Sequence, residues 1–439
     1  MAESKTTTWE QERSRMRAVA NNVILHLHPT RVPAGALRLS YTWGLGGISA
    51  LLALLLVITG VLLMFRYEPN IQSAYSSVLE LEAEVPFGSL FRAIHHWSAN
   101  LLIVTVFLHL VRIFLTGGFR RRGLNWLLGI GLLLLVIAFN FTGYLLPWDQ
   151  LSYWAVTVGT SLIAYVPLVG PELSNIVLGG PEVGQGTLRN FYALHVAVLP
   201  VLLFLSVSYH FWRIRKDGGI SQPRPPAGKE VEGVTTIPNL VQIEFAAAAI
   251  LLVVVVSWAM WVPAPLGDLA NAMESPNPAK AAWYFLGFQE LLLHMHALAA
   301  MALIGFVLLG LLVLPRWDRD EATTGIYFRS PTGRRAALLG ALLSLDLIPL
   351  LIVADELWID LPGWLPTWPT YLSNGVLPLL LSLGALALIY ALARLLLKAN
   401  HSEGLVALFT FIVVSLILMT ITGIYFRGPN MDLIIPLYR

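Results

Sequence analysis

Nine apolar runs of about 20 residues dominate this chain, at about 41–65, 90–115, 125–145, 190–214, 240–262, 291–314, 336–354, 374–397 and 404–426. A helix rises 1.5 Å per residue, so each run is long enough to cross a hydrocarbon layer of about 30 Å. Lipid offers no partner to a backbone N–H or C=O, which makes helices the spanning structure for runs of this length. The 439 residues are 56% hydrophobic and 12% charged, more apolar than a soluble core requires. The sequence therefore predicts an all-α integral membrane protein with about nine spans and the lipid bilayer as its first partner.

The loops give the orientation. Segments at the N-terminus, 116–124, 213–238, 315–335 and 394–402 are basic, whereas 66–92, 147–189, 263–290 and 355–373 are acidic or poor in basic residues. That alternation puts the N-terminus inside and the C-terminus outside. The N-terminus has no short apolar region with a cleavage site, so it is expected to be retained in the cytoplasm. Residues 1–38 carry Arg13, Arg15, Arg17, Arg31 and Arg38 around the apolar patch Val23–Leu27, a pattern suited to a helix lying on the inner membrane face, with His26 and His28 at its surface. The Pro/Gly-broken stretch 150–188 is placed on the outer surface, and the Gly-, Pro- and charge-rich segment 217–238 reads as an inner-side linker. The expected organisation is 1–38 as the surface segment, 39–216 as a first membrane domain, 217–238 as linker, 239–330 as a second domain and 331–439 as additional helices. The net charge of +2 singles out no partner, and no nucleic acid is expected.

Two of the runs carry histidines paired at nearly the same long spacing. His95 and His109 are 14 residues apart, and His195 and His210 are 15 apart. At 3.6 residues per turn the first pair falls within roughly 40° of one face and the second within roughly 60°, each separated by about 21 to 23 Å along the axis. Side by side, the two helices present two facing His/His pairs stacked through the membrane, and each pair can hold one metal-centred macrocycle. A lone histidine in an apolar helix is usually a packed residue, but ionisable groups in spans are rare and tend to be functional. His96, 13 residues before His109 and so turned roughly 140° away, is assigned to packing. Glycines repeat the interval: Gly46 and Gly60 in one run, Gly129 and Gly143 in another. Glycine lets a neighbour or flat ligand approach the backbone closely. The reading is a four-helix dihaem bundle plus about five further transmembrane helices.

Arg92 lies three residues before His95 and Arg112 three after His109, about one turn beyond each macrocycle toward the membrane surface. They can pair with haem propionates or anchor the helix ends at the interface, and the two roles are compatible. The chain has no cysteine, which excludes disulfides, thiolate metal sites and a thioether-linked haem. A haem-free transporter with histidines as proton relays is the competing class, but it accounts for neither the matched histidine offsets nor the paired glycines.

These residues fall in a pattern that resembles a known family. The stretch from about 30 to 220 is similar to the cytochrome b subunit of cytochrome bc complexes, most of all the chloroplast and cyanobacterial form, through HHWSANLLIVTVFLHLVRIFLTGG from His95, TGYLLPWDQLSYWAV from Thr142 and NFYALHVAVLPVLLFLSVSYHFWRIRKDG from Asn190. The 15-residue spacing in the second helix is the chloroplast-type one, and the remainder looks like a fused, extended companion subunit. The resemblance implies two bis-histidine b haems that link quinol oxidation at an outer pocket to quinone reduction at an inner one, with proton translocation. It implies a Rieske iron-sulfur protein and a c-type cytochrome as partner subunits, a homodimer, and a bacterial cytoplasmic membrane. It assigns Pro147, Trp148, Asp149, Trp283 and Tyr284 to the outer pocket and Arg215 to the inner haem and quinone site.

Two departures from the family pattern stand out. Gly44 occupies the position of the cysteine that anchors an extra haem in chloroplast-type proteins. The family's Pro-Glu-Trp-Tyr motif, whose glutamate is assigned as proton acceptor, reads Ala281-Ala282-Trp283-Tyr284. Quinol oxidation needs a proton acceptor within reach, so Glu290, eight residues past Ala282, is the first candidate, with His294 and His296 next; an interfacial glutamate is the plainer reading of Glu290. The missing carboxylate also keeps open a dihaem cytochrome b that exchanges electrons between quinone and a non-Rieske partner without bifurcation.

Overall fold

The computed structural model describes residues 31–223 and 232–434. The helices of more than two turns are α1 (Leu45–Met64), α2 (Ala74–Ala83), α3 (Gly88–Leu115), α4 (Gly123–Leu145), α5 (Gln150–Ser161), α6 (Gly170–Leu178) and α7 (Gln185–Lys216). There follow α8 (Val241–Trp261), α9 (Trp283–His294), α10 (Ala297–Trp317), α11 (Pro331–Leu357), α12 (Leu377–Leu396) and α13 (His401–Tyr425). Among the described residues, nine helices are long and apolar enough to cross a membrane: α1, α3, α4, α7, α8, α10, α11, α12 and α13. The all-α membrane architecture expected from the apolar runs is therefore present. Side chains such as Phe245, Val253, Met260 and Trp261 on α8 lie exposed, as suits a helix whose outer solvent is hydrocarbon.

Most of the expected surface helix at 1–38 lies outside the described residues. Its end, Arg31–Pro33, forms strand β1, antiparallel to β2 (Gly233–Thr235). Residues 233–235, within the linker expected at 217–238, thus pair with residues 31–33.

The sixth run divides where the sequence predicts one span from about 291. Helix α9 ends at His294, Met295 is fully extended (φ −157°, ψ 160°), and α10 starts afresh. The cause is tertiary: the His296 N–H bonds to the Asn374 carbonyl at 2.7 Å, while its imidazole accepts from the Leu298 N–H as an N-cap. With 12 residues, α9 is too short to cross the bilayer.

Helix α13 is packed by other helices on several sides. Asn400 and Glu403 form a capping box at its start, and it packs between α11, α12 and α9. Phe409 stacks on Phe114 of α3 with centroids 3.7 Å apart. At its inner end Arg120, from the α3–α4 loop, donates to both carboxylate oxygens of Asp318 at 2.6 and 2.8 Å, Arg329 adds a contact at 3.4 Å, and Ser402 donates at 3.1 Å. All four side chains are buried.

Candidate functional site

Helix α3 packs along α1 and α4, and α7 packs along α4, so the four histidines are held in two layers. In the outer layer the His95 and His195 rings have centroids 6.3 Å apart and planes at 68°. A metal–imidazole bond of about 2 Å on each side, added to the ring radii, puts two ligating imidazoles about 6 Å centre to centre. His95 Nδ1 lies 2.9 Å from Thr59 Oγ1; His195 Nδ1 lies 3.2 Å from Thr142 Oγ1 and 3.1 Å from the Phe139 carbonyl. Bonding one ring nitrogen in this way orients the ring and leaves Nε2 to a ligand. One layer deeper, His109 lies beside Gly46 of α1 and His210 beside Gly129 of α4. His210 Nδ1 faces the Asn125 backbone without reaching hydrogen-bond geometry.

One of the paired glycines lies beside each of these imidazoles. A Cβ at Gly60 would lie 3.2 Å from His95 Cε1, at Gly46 3.3 Å from His109, at Gly129 3.8 Å from His210, and at Gly143 2.5 Å from His195. Each histidine thus seats its ring on a glycine of the adjoining helix. The unequal offsets of 14 and 15 residues also find their cause here. Residues Leu194–Val198 form a π-turn within α7, which takes up one extra residue. Pro200 follows it, lacking an N–H and unable to continue an α-helical ladder there. With that residue absorbed, the His195–His210 offset is equivalent to 14, matching α3. Threonines 59 and 142 escaped the sequence reading, although each directly precedes a paired glycine, so the dipeptide Thr-Gly in both helices was the available signal.

Arg112 is buried, stands 4.9 Å from the Tyr41 ring centre, and keeps Nη2 without a hydrogen-bond partner. That orphaned donor suits an anionic group such as a propionate. Arg92 differs: it pairs with Glu82 and donates to the Ala264 and Pro265 carbonyls at 3.0 and 2.6 Å, anchoring the segment after α8. Arg215 lies exposed in the last turn of α7.

On the outer side, Asp149 caps α5 through the Ser152 N–H (2.9 Å) and accepts from the Gly267 N–H (3.0 Å). With both oxygens so engaged it ties the Pro147-Trp148-Asp149 turn to the loop before α9. Trp283 opens α9 and donates to Asn100 Oδ1 on α3 at 2.5 Å, while Tyr284, half-buried, faces Tyr144 and has its phenol pushed up by burial. His96 lies on the same face of α3 as Asn100, its ring edge-on to Trp97 at 4.9 Å. Glu290 does not join this group. It is 1% exposed and turned toward α13, where Arg427 donates from Nη2 at 2.6 Å and Nε at 3.0 Å and His294 stands 3.2 Å away. Burial alone would raise Glu290, but hydrogen bonds from His294 and Arg427 outweigh it and hold the carboxyl below its usual range. A general base works best with a pKa near the operating pH, so the geometry commits Glu290 to an ion-pair cluster and corrects the expectation that it faces quinol. His294 bonds Asp355 at 2.6 Å on its other nitrogen, and His296 is spent as the α10 cap.

The profile described as Cytochrome b/b6/petB matches residues 33–218. Over 221 residues the chain is 41% identical to cytochrome b6 of Tupiella akineta, covering 50% of this chain and 99% of that one. The chain belongs to the cytochrome b/b6 family. The family binds b-type haems and serves electron transport in membranes. Cytochrome b6 of Prochlorococcus marinus (strain MIT 9303) is 41% identical over 216 residues, 49% of this chain and 95% of that one. A solved chain titled "Hyperthermophilic respiratory Complex III" superposes with a TM-score of 0.67 at 23% identity, covering 94% of this chain and 96% of its own. The shared fold thus extends past the cytochrome b6-like half to the C-terminal helices.

Proposed function

We propose that this chain is the dihaem cytochrome b subunit of a bc-type complex of a bacterial cytoplasmic membrane, which oxidises quinol at the outer side and carries electrons to a quinone site at the inner side, coupled to proton translocation. The observation that carries the reading is the His95/His195 pair, 6.3 Å between centroids with both Nδ1 atoms already bonded, above a second histidine pair on the same two helices. His95 and His195 would hold one b-type haem and His109 and His210 the other. Bound there, the haems supply one-electron redox chemistry at two depths of the membrane. Thr59, Thr142 and the Phe139 carbonyl fix the ring planes, and the four paired glycines let the rings seat. Arg112 offers its free Nη2 to an acidic haem substituent. Trp283, fastened to α3 through Asn100, and Tyr284 beside it form the wall at which quinol would be oriented, and Arg215 stands on the inner side for the quinone site. A Rieske iron-sulfur protein, a c-type cytochrome and a second copy of this chain are the partners this role requires.

The runner-up is a dihaem cytochrome b that trades electrons between quinone and a non-Rieske partner without bifurcation. It is favoured by Ala281-Ala282, which leaves no carboxylate where the family pattern has one, and by the engagement of Glu290 elsewhere. A redox titration of the α-band of the purified complex, with quinol and an outer-site inhibitor, decides between them. Two components of different potential, reduced by quinol in an inhibitor-sensitive way, are expected; two haems that quinol does not reduce through the outer side would favour the runner-up, and an absent α-band would end both.

A further inference from the structure

The end of α13 and the segment after it hold α9 and the loop before it at three points. Asn277 Nδ2 donates to Asn430 Oδ1 at 2.9 Å, and the Asn430 N–H donates back to Asn277 Oδ1 at 2.5 Å. Lys280 Nζ donates to the Ile424 carbonyl at 3.0 Å. Arg427 holds Glu290 through two nitrogens, the two side chains being 1% and 0% exposed. Arg427 Nη1 donates to Glu356 at the end of α11 and to the Met431 carbonyl at 2.9 Å, so one guanidinium joins α9, α11 and the chain after α13.

Helix α9 also lies unusually close to α13. A Cβ at Gly287 would meet Thr420 Oγ1 at 2.7 Å and Leu416 Cδ1 at 2.8 Å, and one at Gly423 would meet Leu286 Cβ at 3.0 Å. Gln289 fastens the preceding loop to the same helix by accepting from the Ala281 N–H at 2.7 Å and donating to the Ala279 carbonyl at 2.8 Å. Since Trp283 at the other end is bonded to Asn100 on α3, α9 is slung between the His95-bearing helix and the end of α13.

We propose that Arg427 is a positioning residue for the outer quinol site: by clamping Glu290 it sets the placement of α9 and so of Trp283 and Tyr284. The proposal rests on the reading of that site given above. It assigns a task to the C-terminal helices, whose sequence carries no catalytic signature. A buried guanidinium–carboxylate pair with two parallel bonds fixes direction as well as distance, and removing one partner leaves the other charge buried and uncompensated. Lysine retains the charge but not the fork.

The test compares the intact complex carrying Arg427→Gln, Arg427→Lys or Asn277→Ala with wild type. The KM and kcat for quinol, inhibitor affinity, α-band amplitude per protein and hydrogen exchange of the 281–294 peptide are measured. Arg427→Gln is expected to raise KM and weaken the inhibitor about tenfold or more, the scale expected when a reacting group is misplaced by a fraction of an ångström. Haem content and potentials should stay at wild-type values and exchange across 281–294 should accelerate. Arg427→Lys should fall between, and Asn277→Ala, which removes an exposed tie, should give a smaller shift in the same direction. A haem-replete Arg427→Gln complex with wild-type KM, inhibitor affinity and exchange overturns the proposal. If that variant does not accumulate, wild-type behaviour of both Arg427→Lys and Asn277→Ala overturns it equally. Should wild type itself show no inhibitor-sensitive reduction by quinol, the functional reading fails, while the exchange data still decide whether Arg427 places α9.

Discussion

Residue by residue, the four histidine–glycine contacts differ in tightness, and that difference has consequences. Gly143→Ala would put a methyl group 2.5 Å from His195 Cε1, a distance that real Cβ atoms do not adopt, with the ring held by Thr142 and the Phe139 carbonyl. We expect it to abolish one b-type component in reduced-minus-oxidised spectra, whereas Gly129→Ala, 3.8 Å from His210, should leave both. His294 gives a pH-dependent prediction. Burial alone would lower it, but hydrogen bonds with Asp355 and Glu290 outweigh that and raise it from 6.5 to about 9. Its stabilising contribution is therefore complete below pH 6.5 and lost as pH rises through about 9. Thermal melts of the purified protein should show a falling midpoint across that window, and His294→Gln should flatten it; an equal slope in the variant would count against the cluster. The paired histidines are legible from spacing alone because a helix has one period, whereas spacing does not say which atom lies beside a glycine.

The elements show how local chain defects carry register. The π-turn at Leu194–Val198 lets helix α7, with one residue more between its histidines, present them as α3 does. Deleting Ala197 together with Pro200→Ala should convert this stretch to a regular helix with a 14-residue offset and retain both b-type components. Deleting Val104 from α3, which has no such turn, should rotate His95 by about 100° relative to His109 and lose at least one; the α-band amplitude of both variants checks this. From the sequence both pairs fall near one face, within roughly 40° and 60°, and a period that assumes unbroken helix gives no sign of the π-turn. Likewise the single span expected from about 291 became α9 and α10, since the carbonyl of Asn374, distant in sequence, takes the His296 N–H. Apolar content cannot reveal such a break.

Across the whole molecule, buried ion clusters fasten helix α13 at both ends: Arg427 with Glu290 outside, and Arg120 and Arg329 with Asp318 inside. Breaking a buried pair from one side costs about 3–5 kcal/mol. Asp318→Asn leaves two arginines without their shared carboxylate and should lower the thermal midpoint strongly, whereas Arg121→Ala, whose side chain is 74% exposed, should change it little. The number and rough placement of the spans followed from the sequence, because lipid demands about 20 apolar residues per crossing. So did the four-histidine pattern and the membership of the first half in its family. What the tertiary structure alone decided is how the elements meet: that α13 packs against α9, α11 and α12, that Arg92 and Asp149 anchor loops, and that Glu290 faces Arg427. Partners such as Glu290 and Arg427 are brought together across 137 positions of the chain. A helical period relates residues only within one helix, so pairings between helices are set by packing and left no mark in the sequence that could be read alone.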